Sequence, residues 1–207
     1  MQKKDFIIFL IIIGIYFFYQ QNHLPSTVNG RVQVPVGASD KGEKYNFYSD
    51  NHTKLNISGM ERYYVTAKVV SKANYSSGWN SKISPYDLAL AWGRLMDPDC
   101  LSTVSYWQSN RWYYYRFTDK FPLDKGYIIS HSSNNHIIPS NDTILKVLAS
   151  VKVGQVITLD GYLVDIAGKD GNYNVGWNSS RSREDSGDGS CELFYVSRVI
   201  KDGKTYI

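Results

Sequence analysis

"GQVITLDGYLVDIAG", residues 154–168, reads as one long strand interrupted at Gly161. A glycine inside a strand marks a sharp bend or a close backbone approach, as at a barrel corner. The same strand chemistry recurs on both sides. "RYYVTAKVVSK" (62–72) is β-branched and aromatic. "STVSYWQ" (102–108) and "RWYYYRF" (111–117) form a hairpin with Ser109 and Asn110 between them. "GYIIS" (126–130), "NVGWNSS" (174–180) and "CELFYVSRVI" (191–200) add short strands, and "DGKTYI" (202–207) returns through an Asp202–Gly203 turn.

Two segments carry helical spacing. In "SPYDLALAWGRLM" (84–96), Ser84 suits an N-cap, Pro85 the first helical position, and Leu88, Ala91, Trp92 and Leu95 make one apolar face. In "SNDTILKVLASV" (140–151) the face is Ile144, Val147, Leu148 and Val151. Strands following one another without crossover helices predict a mainly β fold with two short helices: a small, antiparallel, OB-like barrel.

The N-terminus is of another kind. Lys3 and Lys4 precede fourteen apolar or aromatic residues, Phe6 to Tyr19. As a helix that run is about 21 Å long. Tyr16, Phe17, Phe18 and Tyr19 end it with no small-x-small cleavage site nearby, and rings at that end suit a membrane interface. The expected organisation is an uncleaved transmembrane helix over 1–21, a polar linker over 22–60 and an extracytoplasmic domain over 61–207. The protein would then sit in the inner or cytoplasmic membrane as a single-pass chain, meeting the bilayer through residues 6–19. A cleaved signal peptide is the alternative, and it exports the same domain.

The net charge of +4 becomes +3 without Lys3, Lys4 and Asp5, and no basic block appears. Both features argue against nucleic acid as a partner. Seventeen tyrosines and five tryptophans suit pleated, half-buried surfaces. Two cysteines, Cys100 and Cys191, in an exported domain predict one disulfide. The alternative is a free Cys191 acting as a nucleophile with a histidine.

Five segments together resemble a widespread, uncharacterised bacterial domain that often follows a membrane anchor: "SPYDLALAWGRLMD" (84–97), "SNRWYYYRF" (109–117), "HSSNNHIIP" (131–139), "GQVITLDGYLV" (154–164) and "SSRSREDSGDGSCELFYV" (179–196). His131, Ser132, Asn134, His136 and Pro139 match one block of its pattern. Arg183, Asp185, Gly187, Gly189, Cys191 and Glu192 match another, and Cys100 has no counterpart. The resemblance implies a unified domain over 62–200 and brings no activity.

The polar residues form two clusters, with an aromatic strand beside them. His131 and His136 are five apart, which on a strand sends them to opposite faces and on a helix about 140° apart. Shared metal ligation does not fit that spacing, and neither a metal nor a cofactor is expected. As a turn, "SHSSNNH" would satisfy its own backbone. As a site, at least one histidine would share a cleft with Arg183, Asp185 or Glu192 at the mouth of the barrel. On strand 111–117, Trp112, Tyr114 and Arg116 share one face and suit a sugar ring or a peptide. The leading functional reading is a membrane-anchored binding or assembly module of the bacterial envelope, with a polysaccharide or a protein as partner. The alternatives are a hydrolase using His131 or His136 with Asp185, or with Ser132 or Cys191 as nucleophile, and a nucleic-acid-handling component of a transfer machine.

Overall fold

A computed structural model describes residues 27–28, 31–32, 44–182 and 190–207. The expected membrane helix (6–19), Arg183 and Asp185 lie outside the described residues. Among those described, no helix is long and apolar enough to cross a membrane.

The fold is mainly β, as the sequence predicts. In chain order the elements are β1 (Thr27–Val28), β2 (Arg31–Val32), β3 (Lys44–Ser49), β4 (Thr53–Asn74), β5 (Tyr86–Ala91), α1 (Pro98–Leu101), β6 (Val104–Ser109), β7 (Trp112–Phe117), α2 (Gly126–His131), β8 (Ser132–Pro139), α3 (Asp142–Ser150), β9 (Val156–Asp170), β10 (Tyr173–Trp177), β11 (Glu192–Lys201) and β12 (Lys204–Tyr206). Short 3-10 turns cover Trp79–Lys82 and Gly93–Met96.

In the main sheet β4 pairs with β5, β5 with β8, β8 with β11, β11 with β9, and β9 again with β4. Only the β8–β11 contact is parallel in that series. Strands β6 and β7 form a separate two-stranded sheet.

A bulge explains how one long strand serves two cores. In β4 the register shifts between Gly59 and Glu61. Side chains alternate with period two, so one extra residue moves the apolar set to the other face. Leu55 and Ile57, before the bulge, join a cluster with Ile83, Ile138, Val164, Ile166 and Leu193. Tyr63, Val65, Ala67 and Val69, after it, join the main core with Leu88, Ile137, Leu159, Leu163 and Phe194. Gly161 pairs with Tyr63 on one side and Val196 on the other, beside a second bulge between Val196 and Arg198. Helix α3 forms where its spacing places it. Asn141 caps it by accepting from the Ile144 amide at 3.0 Å, and Ile144 and Leu148 enter the main core. Lys72 closes the other end, donating to the Leu148, Ala149 and Val151 carbonyls at 2.8–3.0 Å.

Four expectations are corrected. Residues 86–91 are a strand, not a helix: Asp87, Leu88, Ala89, Leu90 and Ala91 are all buried, so both faces are covered and no alternation shows. Residues 126–131, expected as a strand over 126–130, are a helix, and 132–139, which hold most of the polar turn expected over 130–136, are a strand buried along almost its whole length. Arg31 pairs with Tyr63, Lys44–Ser49 pairs with β4 and Leu55 is buried, so part of the stretch assigned to a linker belongs to the sheet. The disulfide is absent: Cys100 and Cys191 are free. Cys100 is buried in α1 near Tyr106, whereas Cys191 precedes β11 and faces β8.

Candidate functional site

Strand register assembles the site. His136 on β8 pairs with Asp87 on β5 and with Leu193 on β11. Cys191 precedes Leu193 by two, so alternation turns both toward the His136 side. Asp87 and His136 therefore come from adjacent strands, and Cys191 from the residue just before the third.

Asp87 is wholly buried, and its Oδ1 lies 2.9 Å from His136 Nδ1 and 2.9 Å from an Arg111 guanidinium nitrogen. The histidine contact is at ion-pair distance but off the line of a straight hydrogen bond. The Cys191 sulfur, 3.5 Å from the Asn134 amide, is near enough to act on His136 electrostatically. Burial alone would lower the basicity of this imidazole. The Asp87 carboxylate and the Cys191 sulfur outweigh it, and the pKa is raised above the ordinary histidine value. The Trp177 ring packs on the imidazole with centroids 4.5 Å apart.

Asn134 stands two residues before His136 on the same face. Its amide nitrogen donates to the Arg111 carbonyl at 2.8 Å and lies 3.5 Å from Cys191 Sγ. Its carbonyl accepts from Gln108 at 2.7 Å, which fixes the amide orientation. Arg111 is held between rings, 4.1 Å from the Tyr75 centroid and 5.2 Å from that of Trp177. It also donates to the Ser84 carbonyl at 3.0 Å.

The predicted residues divide. His136 and Asn134 belong to this site, and Cys191 joins them as a free thiol. His131 does not: it ends α2, stacked on Tyr127 with centroids 3.6 Å apart, and its Nδ1 is 2.8 Å from the Ser130 hydroxyl and 3.2 Å from the Tyr127 carbonyl. Burial lowers its pKa, opposed by that carbonyl. Ser132 donates to the Ile128 carbonyl at 2.7 Å and meets the Tyr113 hydroxyl at 2.6 Å, so it serves the fold rather than acting as a nucleophile. Glu192 is buried and paired in register with Asn135, so it alternates to the face opposite His136. The acid beside His136 is thus Asp87, which the sequence reading placed on a helix and did not select. Arg111 and Gln108 went unselected too; both lie on the hairpin, and no spacing in the chain links them to β8.

Trp112, Tyr114 and Arg116 are exposed on one face of β7, and Trp107 of β6 joins them. Trp107 and Tyr114 are opposite in register and stacked, centroids 5.5 Å apart. Among the described residues no three His, Cys, Asp or Glu side chains are grouped to hold a metal ion. No protein-family model, curated protein or solved structure matches this chain.

Proposed function

We propose that the domain is a thiol-dependent acyl-transfer enzyme of the bacterial envelope, hydrolytic when water is the acceptor. The observation that carries this is the grouping of buried His136 with the Asp87 carboxylate at 2.9 Å and with the free thiol of Cys191, which lies 3.5 Å from the Asn134 amide on the same face. This is the nucleophile, base and orienting acid arrangement, recognised by geometry rather than by order in the chain. Asp87 on Nδ1 leaves Nε2 to take the thiol proton. Sulfur attacks the carbonyl carbon, a C–S bond forms and the π pair moves to oxygen. The Asn134 amide, held near the sulfur by Gln108 and Arg111, is placed to donate to that oxyanion. The tetrahedral centre collapses as the leaving group takes the proton from His136, and a thioester remains. Water then gives a proton to His136 and attacks the thioester; the C–S bond breaks, the acid leaves and the thiol recovers its proton. Trp177 over the imidazole limits water at the base.

We read the closed series of strand pairings as an OB-like barrel. The loop after β4 and the β5–β8 face then form its ligand side. We place the domain outside the membrane on an uncleaved helix over 6–19.

The test is thiol reactivity. With iodoacetamide at neutral pH and peptide-resolved mass spectrometry, Cys191 labels and buried Cys100 does not. His136→Ala lowers the Cys191 rate about tenfold or more, since the thiolate is the reactive form. Equal rates in the two proteins would remove the enzymatic reading.

The outer face of the hairpin favours a second reading, a binding module for an envelope polysaccharide. Trp107, Trp112 and Tyr114 are 36–43% exposed. Aromatic faces of this kind pack against sugar rings. Titration with soluble peptidoglycan fragments should quench tryptophan fluorescence, and Trp112→Ala should weaken binding about tenfold, within the range for one aromatic contact. Unchanged fluorescence at millimolar fragment would exclude this reading.

A further inference from the structure

The hairpin β6–β7 turns through Asn110 and Arg111, both at positive φ, 51° and 65°. A two-residue turn of that hand favours glycine at its second position. An arginine there sits in a left-handed conformation costing about 1 kcal/mol. Such strain persists where something else holds the residue.

What holds it is the thiol site. The backbone nitrogen of Arg111 donates to the Tyr75 hydroxyl at 2.8 Å. Its carbonyl accepts the Asn134 amide, which reaches toward Cys191 Sγ. Its guanidinium donates to the same Asp87 oxygen that His136 approaches, and its faces lie against Tyr75 and Trp177. One residue of a separate sheet thus grips both ends of the site. Its side chain holds the acid, and its carbonyl holds the Asn134 amide.

Resting on the thiol reading above, we propose that Arg111 is the positioning residue of this site, through which the hairpin holds Asp87 against His136. Asp87 is fully buried, and without the guanidinium its Oδ1 loses the donor that holds it in place beside His136 Nδ1. Among the described residues, the titratable and charged groups around His136 are Asp87, Arg111 and Cys191, with Tyr75 beside Asp87.

The experiment follows Cys191 alkylation by iodoacetamide from pH 5 to 10 in the full chain, with unlabelled Cys100 reporting the folded fraction. Arg111→Gly relieves the turn strain yet should slow Cys191 about tenfold at pH 7, the scale of losing an orienting partner. Asp87→Asn should do the same. The double variant should be no slower than either single, because both break one unit. Arg111→Lys should recover part of the rate by restoring the charge. Tyr113→Phe, which removes the hydroxyl that meets Ser132, should lower melting without moving the profile.

Two results overturn the proposal. One is a wild-type rate and pH profile in Arg111→Gly while His136→Ala is slow. The other is a double variant slower by about a hundredfold, the product expected of independent sites. A His136→Ala rate equal to wild type defeats the thiol reading itself, whatever Arg111 does.

Discussion

Replacing Gly161 by valine should leave almost no folded protein. Strand β9 runs between β4 and β11, and at Gly161 it is paired on both sides. A Cβ there would overlap the Tyr195 carbonyl oxygen and stand 3.0 Å from its carbon and 3.1 Å from Val196 Cα. These are backbone atoms of a neighbouring strand and cannot rotate aside. Relief requires β9 and β11 to separate, which uncovers Leu159, Leu163, Phe194 and Val196 of the main core. The loss should be at least about 4 kcal/mol, in the range reserved for severe core disruption. That approaches the whole stability of a domain at the low end of the usual range, about 5 kcal/mol. Even Gly161→Ala places the offending atom, so it should lower the melting temperature by about 8–16 °C for a domain of this size. Urea and thermal unfolding followed by circular dichroism check both variants. A Gly161→Ala protein melting within about 2 °C of wild type would mean the strands do not approach this closely.

Removing Asp87 has the next largest expected effect. Asp87→Ala leaves Arg111 and His136 facing each other, their side chains only 14% and 4% exposed, with no anion between them. Breaking a buried pair in this way costs about 3–5 kcal/mol, most of it the desolvation of the charge left behind. The pH dependence carries a definite sign. The folded-state pKa of His136 is raised, so its protonation adds stability that is complete below the unfolded value of about 6.5 and is lost as pH rises through the folded value. The urea midpoint of wild type should therefore exceed that of His136→Gln by more at pH 5.5 than at pH 8.5. In Asp87→Asn the largest remaining influence on His136 is burial, which disfavours its charged form. The dependence should reverse, with stability lost as pH falls below about 6.5. Parallel midpoints for wild type and Asp87→Asn across this range would show that Asp87 and His136 are not coupled.

The contrast between these two residues shows what is written locally. Gly161 announces itself, because a glycine inside a β-branched run has few reasons to be there. Asn141 before Ile144, Val147 and Leu148 specifies α3, because capping and i, i+3, i+4 spacing act within one turn. The β6–β7 and β11–β12 turns are equally local, carrying Asn110 and Asp202–Gly203 at positive φ. The mainly β class and helix α3 were legible on these grounds.

Strand β5 was not, although its segment looked well specified. Ser84, Pro85 and the Leu88–Trp92–Leu95 spacing satisfy a helix, but neighbours on both sides and both faces impose a strand. A strand buried on two faces has no polar alternation to betray it. The same holds for β8, whose Ser, Asn and His residues resemble a turn until β5 and β11 pair with it. The thiol site follows from that pairing. Asp87 and His136 meet only because their strands are in register, and a slip of one residue would turn either side chain to the opposite face. The sequence by itself determined the residue types, the turns and one helix, because these depend on neighbours along the chain. Tertiary structure alone decided which acid meets which base and that Cys191 stays a free thiol, because those contacts depend on register between strands about fifty residues apart in the chain.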